Sequence, residues 1–426
     1  MRGKLNSAIA SLQVRNYRLF ATGQMIKLVG AWMMFTAQDW LVLQLTDDSA
    51  TALGAVTALQ FAPVLLLSLY GGTLADRFDK RKLLAITNIV WLVLAVVQAV
   101  LVVTGAVQLW HVFVFAAALG VQGAIETPAR QAFVSELVGN HLLPNALALS
   151  AATFNSARVV GPALAGLVIA VWDTGGAFVV SAVAAIAPVV TYRLMRSADL
   201  FRDPPAGKGA RPQAKIMDGL RYVAARPDLL LPMGLIAVIG MIGFNFTVTL
   251  AVLAKTVFAA GPASFGLLTT ALATGALAGA LAGSGRRARP SVYLVLGAAM
   301  AFGALETVVG FAPSFLAAAL LLLPTGFFMI LFAQAANQRV QMGTAAAYRG
   351  RVMALYVVVF LGTTPVGALL VGWIAEHIDP GASIWLGGVG SALAAAVGLL
   401  WKLHRTGERL RVRLLPIPRF SVVQQP

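Results

Sequence analysis

A dense cluster of charges separates two long apolar stretches near the start of the chain. The cluster runs from Asp76 to Lys82, whereas the flanking stretches, about residues 51–70 and 83–103, carry no charge. Each stretch has about the 20 residues that an α-helix needs to cross a bilayer, and charges at this density must lie in water. The pattern predicts two membrane-spanning helices joined by a tight, solvated turn.

The composition extends this prediction to the whole chain. Hydrophobic residues make up 59% of it and charged residues 11%, against roughly 25% charged residues in a soluble domain. We therefore expect an all-α membrane protein with twelve transmembrane helices. The predicted spans cover about residues 17–45, 51–74, 83–104, 110–134, 142–171, 176–195, 228–257, 264–285, 290–312, 314–338, 350–375 and 381–402.

The charges are distributed unequally between the two sides of these spans. Most of the 32 Lys and Arg residues fall in the N-terminal segment, the tail and the loops on the same side as both. This asymmetry predicts that both termini are cytoplasmic. The Arg-, Ala- and Gly-rich composition is typical of a GC-rich bacterial genome, so we expect the bacterial cytoplasmic membrane. The opposite loops hold Asp47, Asp48, Asp173, Glu376 and Asp379.

Several functional classes are disfavoured by what the sequence lacks. The net charge of +16 is spread over loops, and a nucleic-acid protein would need a basic patch on a folded soluble surface. With no cysteine and four scattered histidines, we expect no metal site and no cofactor. The chain has no nucleotide-binding Walker loop, and we do not expect an enzyme.

A charged, Pro- and Gly-rich segment divides the chain near its middle. Such a composition breaks helices and prefers water, so we expect it to link two groups of six spans. The start of the fifth predicted helix, from Leu143, also resembles the start of the eleventh, from Ala346. The predicted divisions are an N-terminal half (1–195), a cytoplasmic linker (196–227), a C-terminal half (228–403) and a basic cytoplasmic tail (404–426).

The segment Gly72-Thr-Leu-Ala-Asp-Arg-Phe-Asp-Lys-Arg-Lys82 resembles the signature loop between helices 2 and 3 of the major facilitator superfamily. The resemblance implies a secondary transporter built from two pseudo-symmetric halves, with the substrate near the midplane. It also implies that Asp76 contacts the start of helix 11 and acts as a conformational switch. Asp79 departs from the family's usual Gly, and plain topology-determining charges are the alternative. The residues assigned to the switch are Gly72, Asp76, Arg77, Lys80, Arg81, Arg349 and Arg351.

A second motif lies in the fifth predicted helix. Gly161-Pro162-Ala-Leu-Ala-Gly166, preceded by Asn155 and Arg158, resembles the superfamily motif associated with antiporters. Pro162 removes a backbone donor, and the two glycines allow another helix to approach closely. We expect a kink at a packing seam, with a generic small-residue contact as the alternative.

Charged residues inside membrane spans are costly and indicate function. We take Asp39, Glu126 and Glu306 as candidate proton carriers, with a structural ion pair as the alternative for each. Arg158 has no charged neighbour in its own span and lies at a depth similar to Glu126, which predicts a Glu126–Arg158 pair and makes Arg158 a further proton-coupling candidate. A polar face on the first helix and further polar residues are candidates for the substrate cavity, or for plain interhelical hydrogen bonds. These candidates are Gln24, Lys27, Met34, Gln38, Gln122, Asn155, Asn245, Gln334 and Asn337.

Within the superfamily, the runs from Glu126 to Ala132, Pro144 to Ala146 and Asn155 to Pro162 resemble a bacterial branch. That branch contains enterobactin-type siderophore exporters and macrolide or multidrug efflux permeases. The resemblance implies a proton-coupled efflux antiporter of amphipathic small molecules, such as a drug, an antibiotic or a siderophore. Proton-linked or facilitated metabolite uptake is the alternative, followed by a non-transporting receptor or enzyme. The expected partners are a small molecule, protons and anionic headgroups around a monomer, without nucleic acid.

Overall fold

The computed structural model describes residues 10–201, 216–284, 286, 288–413 and 419–424, and most of these residues are helical. Short polar side chains begin several of the helices. Ser49, Ser291 and Ser314 each accept a hydrogen bond from a backbone N–H in the first turn, which supplies an acceptor for a donor that has no partner within the helix. The long helices are Arg15–Leu45, Ala50–Arg77, Lys80–Val103, Leu109–Ala184, Pro227–Ile242, Pro262–Ser284, Val292–Gly310, Phe315–Gly343, Ala346–His377 and Pro380–Thr406.

The described helices cross the membrane twelve times, as expected from the sequence. By length and apolarity alone, ten stretches qualify. One of these, His141–Leu194, has 54 residues and is broken at Asp173; because about 20 residues suffice for one crossing, it crosses twice. The helix Arg15–Leu45 has 31 residues and adds the twelfth crossing, although its polar residues lower its hydropathy. We number the crossings spans 1 to 12 in chain order.

Spans 4, 5 and 6 are separate helices that follow one another without a long loop, divided by breaks at two residues. Gly139 and Asp173 have φ angles of 68° and 62°, and these left-handed conformations break the helix. Span 4 ends at the first break, span 5 runs between the two, and span 6 follows the second and continues as Ile186–Leu194.

Span 7 is broken near its middle. Pro227–Ile242 is followed by Gly243, Phe244 and Asn245 in irregular conformations and then by Phe246–Val252. A π-helical turn, Leu253–Val257, completes the span. Such breaks and π turns in membrane helices are common at functional positions.

The two ends of the bundle differ in charge. We call the end with the Asp76–Lys82 loop the basic face and the end with Asp47, Asp48 and Asp379 the acidic face. Spans 2 and 11 pack against each other, as do spans 5 and 8. These two contacts join the first six spans to the last six.

Two predicted non-membrane segments contain regular structure. Within the predicted linker, Ile216–Ala224 is a helix whose Tyr222 ring stacks on Tyr348 of span 11 at 4.4 Å. Within the predicted tail, Glu408–Arg413 pairs antiparallel with Arg419–Gln424. Linker residues 202–215 and tail residues 414–418 and 425–426 lie outside the described part of the chain.

Candidate functional site

Three ionisable side chains meet inside the first six spans. Lys27 Nζ on span 1 lies 2.7 Å from Glu126 Oε2 on span 4, and both residues are buried. Arg130 Nε, one turn further along span 4, lies 3.7 Å from Glu126 Oε1. Gln122 donates a hydrogen bond of 3.3 Å to Glu126 Oε2, and the Lys27 ammonium stands 5.0 Å from the centre of the Trp91 ring. The cluster compensates charges that would be costly alone inside a membrane.

The expected Glu126–Arg158 pair is not formed in this structure. The carboxylate of Glu126 is occupied by Lys27 and Arg130, and the Arg158 guanidinium lies 5.8 Å from the centre of the Trp32 ring instead. Counting helical rise from the basic face places Lys27 about 18 Å deep, Glu126 about 20 Å and Arg158 about 26 Å. A comparison of depths across all spans would have predicted Lys27 as the partner of Glu126.

The polar face of span 1 points into the first six spans. Gln24 donates a hydrogen bond of 3.1 Å to the Tyr192 hydroxyl on span 6, and Gln98 on span 3 donates one of 3.2 Å to Gln38 Oε1. Met34 is fully buried. This face therefore forms a polar seam with spans 3, 4 and 6, and Gln24 also lines a small pocket beside Arg130. The same helical periodicity suits a seam and a cavity wall, so spacing could not separate the two.

Two carboxyl groups inside the spans have no hydrogen bond or ion pair with any described residue. Asp39 on span 1 is 7% exposed, and Glu306 on span 9 is 3% exposed. Glu306 Oε2 is buried without a partner, as is the hydroxyl of Ser391 on span 12. The two Glu306 oxygens would lie 3.0 and 3.2 Å from a Cβ added to Gly243 and Gly387 respectively. A charged carboxylate is expensive in such surroundings, so its charge depends on whether the site is open to water.

The remaining cavity candidates make local contacts. Asn245, at the break in span 7, is buried and donates a hydrogen bond of 2.7 Å to the Met241 carbonyl. Asn155 on span 5 donates one of 2.8 Å to Ala151, one turn back. Gln334 and Asn337 on span 10 are half-buried. Among the described residues, no cluster of three His, Asp or Glu side chains could hold a metal ion.

The Gly161–Gly166 motif lies where span 5 meets the other group of helices. A Cβ added to Gly166 would lie 2.9 Å from the Ala263 Cα on span 8, and one added to Gly266 would lie 2.5 Å from the Pro162 carbonyl oxygen. Only residues without side chains permit this approach. The motif therefore forms part of the contact between spans 5 and 8.

Polar contacts join the two groups of spans at the acidic face. Glu376 Oε2, at the end of span 11, accepts hydrogen bonds from the Ser49 hydroxyl at 2.8 Å and the Thr51 backbone N–H at 2.7 Å. Lys255, on the π turn of span 7, forms an ion pair with Asp48. The loop between spans 1 and 2 is thus bound by both span 7 and span 11.

Backbone contacts reinforce this closure. A Cβ added to Gly54 on span 2 would lie 2.4 Å from the Ala368 carbonyl oxygen on span 11, and one added to Gly372 would lie 2.5 Å from that of Ala50. No side chain separates the two helices at these points. Spans 2 and 11 are therefore in direct contact near the acidic face.

The same two spans are apart at the basic face. Asp76 and Arg349 are exposed, and Asp76 forms no ion pair or hydrogen bond with Arg349, Arg351 or any other described residue. A Cβ added to Gly72 or Gly350 would meet nothing within 4 Å. The expected contact between Asp76 and helix 11 is absent in this conformation, which is closed at the acidic face and open between spans 2 and 11 at the basic face.

Other residues of the signature loop bind the first six spans. Lys80 Nζ lies 2.7 Å from Glu136 Oε1 on span 4, and Arg81 donates a hydrogen bond of 3.0 Å to the Tyr192 carbonyl on span 6. Arg77 is exposed. The loop is therefore fixed to its own group of helices, and Asp76 remains available at the gap.

A family model described as a transmembrane secretion effector matches residues 6–422. The chain belongs to this family. It is a multi-pass membrane transporter of the major facilitator type. Among solved structures, an inward-facing, occupied bacterial homologue of the human lysosomal transporter Spinster superposes on this protein with a TM-score of 0.71. That likeness covers 91% of this chain and 97% of the other at 14% identity, so it supports the fold alone.

Named relatives of this chain are transporters. The staphyloferrin A transporter of Staphylococcus aureus is 28% identical over 61% of this chain, and the match spans 64% of that transporter. The enterobactin exporter EntS of Citrobacter koseri is 26% identical over 88% of each chain. The multidrug efflux pump Tap of Mycolicibacterium fortuitum is 27% identical over 82% of this chain and 86% of the pump.

Proposed function

We propose that this protein is a proton-coupled efflux antiporter of amphipathic small molecules that works by alternating access. The observation that carries the proposal is the opposite state of the two faces. Spans 2 and 11 are in backbone contact at the acidic face, whereas Gly72 and Gly350 face open space at the basic face. A carrier that exposes its site to one side at a time requires this asymmetry.

The orientation of the protein in the membrane follows from the charge of its loops. Basic loops remain in the cytoplasm, so the basic face is assigned to the cytoplasm, together with both termini, in the bacterial cytoplasmic membrane. The conformation is then inward-facing, ready to load a substrate from the cytoplasm. Export is supported by two relatives that are named as an exporter and an efflux pump.

Proton coupling is assigned to the carboxyl groups without partners. Glu126 is held by Lys27 and Arg130, which suits a structural role. Asp39 and Glu306 are buried without a counter-charge from any described residue, so each can be neutral while enclosed and lose its proton when water reaches it. These two residues are therefore the proposed proton carriers.

The test is transport by the purified protein in sealed vesicles, using ethidium and naphthalene-1-sulfonate as amphipathic probes that keep their charge at all pH values used. An antiporter accumulates at least one probe in an acid lumen, because protons leave as the probe enters. Accumulation only in an alkaline lumen would indicate proton-linked uptake, and equilibration without accumulation would indicate facilitated transport. Accumulation that depends on a sodium gradient instead would identify sodium, and not the proton, as the coupling ion.

Variants then test the carriers. Asp39→Asn and Glu306→Gln should each reduce gradient-driven accumulation at least tenfold while leaving probe exchange in the absence of a gradient. Asp199→Asn, which changes an exposed carboxylate at the basic face, is the matched control and should transport normally. Wild-type accumulation by both carrier variants would contradict the assignment.

A further inference from the structure

Arg158 is a cation inside the membrane without a counter-charge. It lies in span 5, about 26 Å from the basic face by helical rise, and no described residue offers it a carboxylate or a hydrogen-bond acceptor. Its guanidinium rests 5.8 Å from the centre of the Trp32 ring. A charge at this depth that is satisfied neither by a partner nor by the headgroups is a functional candidate by default.

The surroundings of Arg158 lie at the junction of the two groups of spans. The carbonyl of its neighbour Val159 accepts a hydrogen bond of 3.2 Å from Thr270 on span 8, and Trp32 belongs to span 1. Arg158 itself is half-buried, and Phe154, one turn towards the basic face, is 38% exposed. The side chain therefore lies where spans 1, 5 and 8 meet, beside a partly exposed aromatic ring.

Aromatic rings surround this position. The Trp32 ring packs edge to face against Phe35 at 6.0 Å and against Phe154 at 5.9 Å, and Phe35 in turn contacts Trp91. The Arg158 guanidinium lies within cation–π distance of the Trp32 ring, and its N–H groups donate no hydrogen bond to a described residue. The site thus offers an apolar aromatic wall beside a planar fork of donors.

The net charge near this wall is positive. Lys27 and Arg130 share the one carboxylate of Glu126, so Arg158 adds to an existing surplus. Asp39, the other acidic residue buried in the first six spans, lies two turns above Trp32 on the same helix and makes no ion pair with a described residue. The surplus persists whether Asp39 is charged or neutral.

We infer that Arg158 anchors a binding site for anionic small molecules that carry an aromatic or other flat apolar group. A carboxylate, sulfonate or phenolate would accept hydrogen bonds from the guanidinium fork, and the apolar group would pack on Trp32 and Phe154. The inference rests on the proposed transport function, because it names the class of substrate that the transporter takes. It also gives Arg158 the counter-charge that its depth requires, supplied by the substrate.

The experiment compares three probes of one shape and different charge on the purified protein in lipid nanodiscs. These are naphthalene-1-sulfonate, the neutral naphthalene-1-sulfonamide and the cationic (1-naphthylmethyl)trimethylammonium. We expect the sulfonate to bind at least tenfold more tightly than either of the others, by calorimetry. Equal affinities, or a preference for the cation, would overturn the inference using wild-type protein alone.

Variants locate the site. Arg158→Gln should reduce sulfonate affinity at least tenfold and leave that of the sulfonamide unchanged, while Arg158→Lys should retain part of the preference. Arg405→Gln is the matched control, because the Arg405 guanidinium also lies near a tryptophan, 5.5 Å from the centre of the Trp401 ring, but is exposed at the end of span 12. If Arg158→Gln does not fold, the affinity of Arg158→Lys and the wild-type preference still decide the question.

The outcomes separate this inference from the proposed function. Accumulation of ethidium but not of the sulfonate in an acid lumen would leave the antiporter standing and overturn the anionic site. Sulfonate binding that depends on Arg158, without gradient-driven accumulation of any probe, would keep the site and reject the antiporter. Unchanged sulfonate affinity in Arg158→Gln, together with a double-mutant coupling to Glu126, would instead make Arg158 an internal partner in another conformation.

Discussion

At the scale of single residues, the buried ion pair is asymmetric. Glu126 has two cations within 4 Å, Lys27 at 2.7 Å and Arg130 at 3.7 Å, whereas Glu126 is the only carboxylate paired with Lys27 among the described residues. Removing either partner of a buried pair leaves an uncompensated charge, typically at a cost of 3–5 kcal/mol. Lys27 has no second carboxylate to turn to.

We therefore predict that Glu126→Gln lowers the free energy of unfolding by about 3 kcal/mol and that Lys27→Met lowers it by less. The double variant should be more stable than the sum of the two losses implies, because it leaves neither charge alone. Equilibrium unfolding in mixed micelles measures all four corners of the cycle. Strictly additive losses of stability, or a larger loss in Lys27→Met than in Glu126→Gln, would mean that Lys27 and Glu126 are not each other's principal partner.

At the scale of helices, closure of the acidic face depends on glycines. Gly266 of span 8 has the Pro162 carbonyl 2.5 Å from its Cβ position, whereas Gly297 of span 9 has nothing within 4 Å. A side chain at the first position must push spans 5 and 8 apart. At the second position it meets open space.

We predict that Gly266→Val shifts the population towards opening of the acidic face by at least tenfold, equivalent to about 1.4 kcal/mol, and that Gly297→Val does not. The chain has no cysteine, so spin labels at Thr104→Cys and Phe311→Cys, both exposed at the ends of spans 3 and 9, report the separation directly. An unchanged distance distribution in Gly266→Val would show that this contact does not control closure.

Sequence alone predicted the helices better than their contacts. Apolar length and charge asymmetry placed twelve spans, because the bilayer imposes both on any chain that crosses it. The same patterns do not specify which lone charges meet, since Arg158 and Lys27 were equally unpaired within their own helices. The break in span 7 at Gly243 and the enclosure of Glu306 by glycines of two other spans depend on tertiary packing, and no local pattern encodes them.

At the scale of the whole molecule, the two faces use different charges. Lys255 and Glu376 hold the acidic face closed, while Asp76, at the open basic face, has no ion pair or hydrogen bond with a described residue. Asp76 therefore contributes nothing by direct contact to the present conformation. We propose that Asp76 acts when spans 2 and 11 approach each other at the basic face, where the start of span 11 and its arginines attract a carboxylate.

We predict that Asp76→Asn leaves the melting temperature of the inward-facing protein within about 2 °C of wild type, because surface changes without a contact have small effects. Transport should nevertheless fall at least tenfold, since closure of the basic face loses its charge contact. Asp199→Asn provides the control for a carboxylate at the same face. Near-normal transport by a well-folded Asp76→Asn variant would remove the switch role.

The capping of span 2 by Glu376 also has a consequence for biosynthesis. The Thr51 amide and its acceptor are 325 residues apart in the chain, and ribosomes add about 5–20 residues each second. On the order of 16–65 s therefore pass between the synthesis of Thr51 and the synthesis of its acceptor, Glu376. During that interval water must accept the hydrogen bond of the Thr51 amide, so the start of span 2 is hydrated in the nascent first half. The closing contact across the acidic face is therefore among the last features of the protein to form.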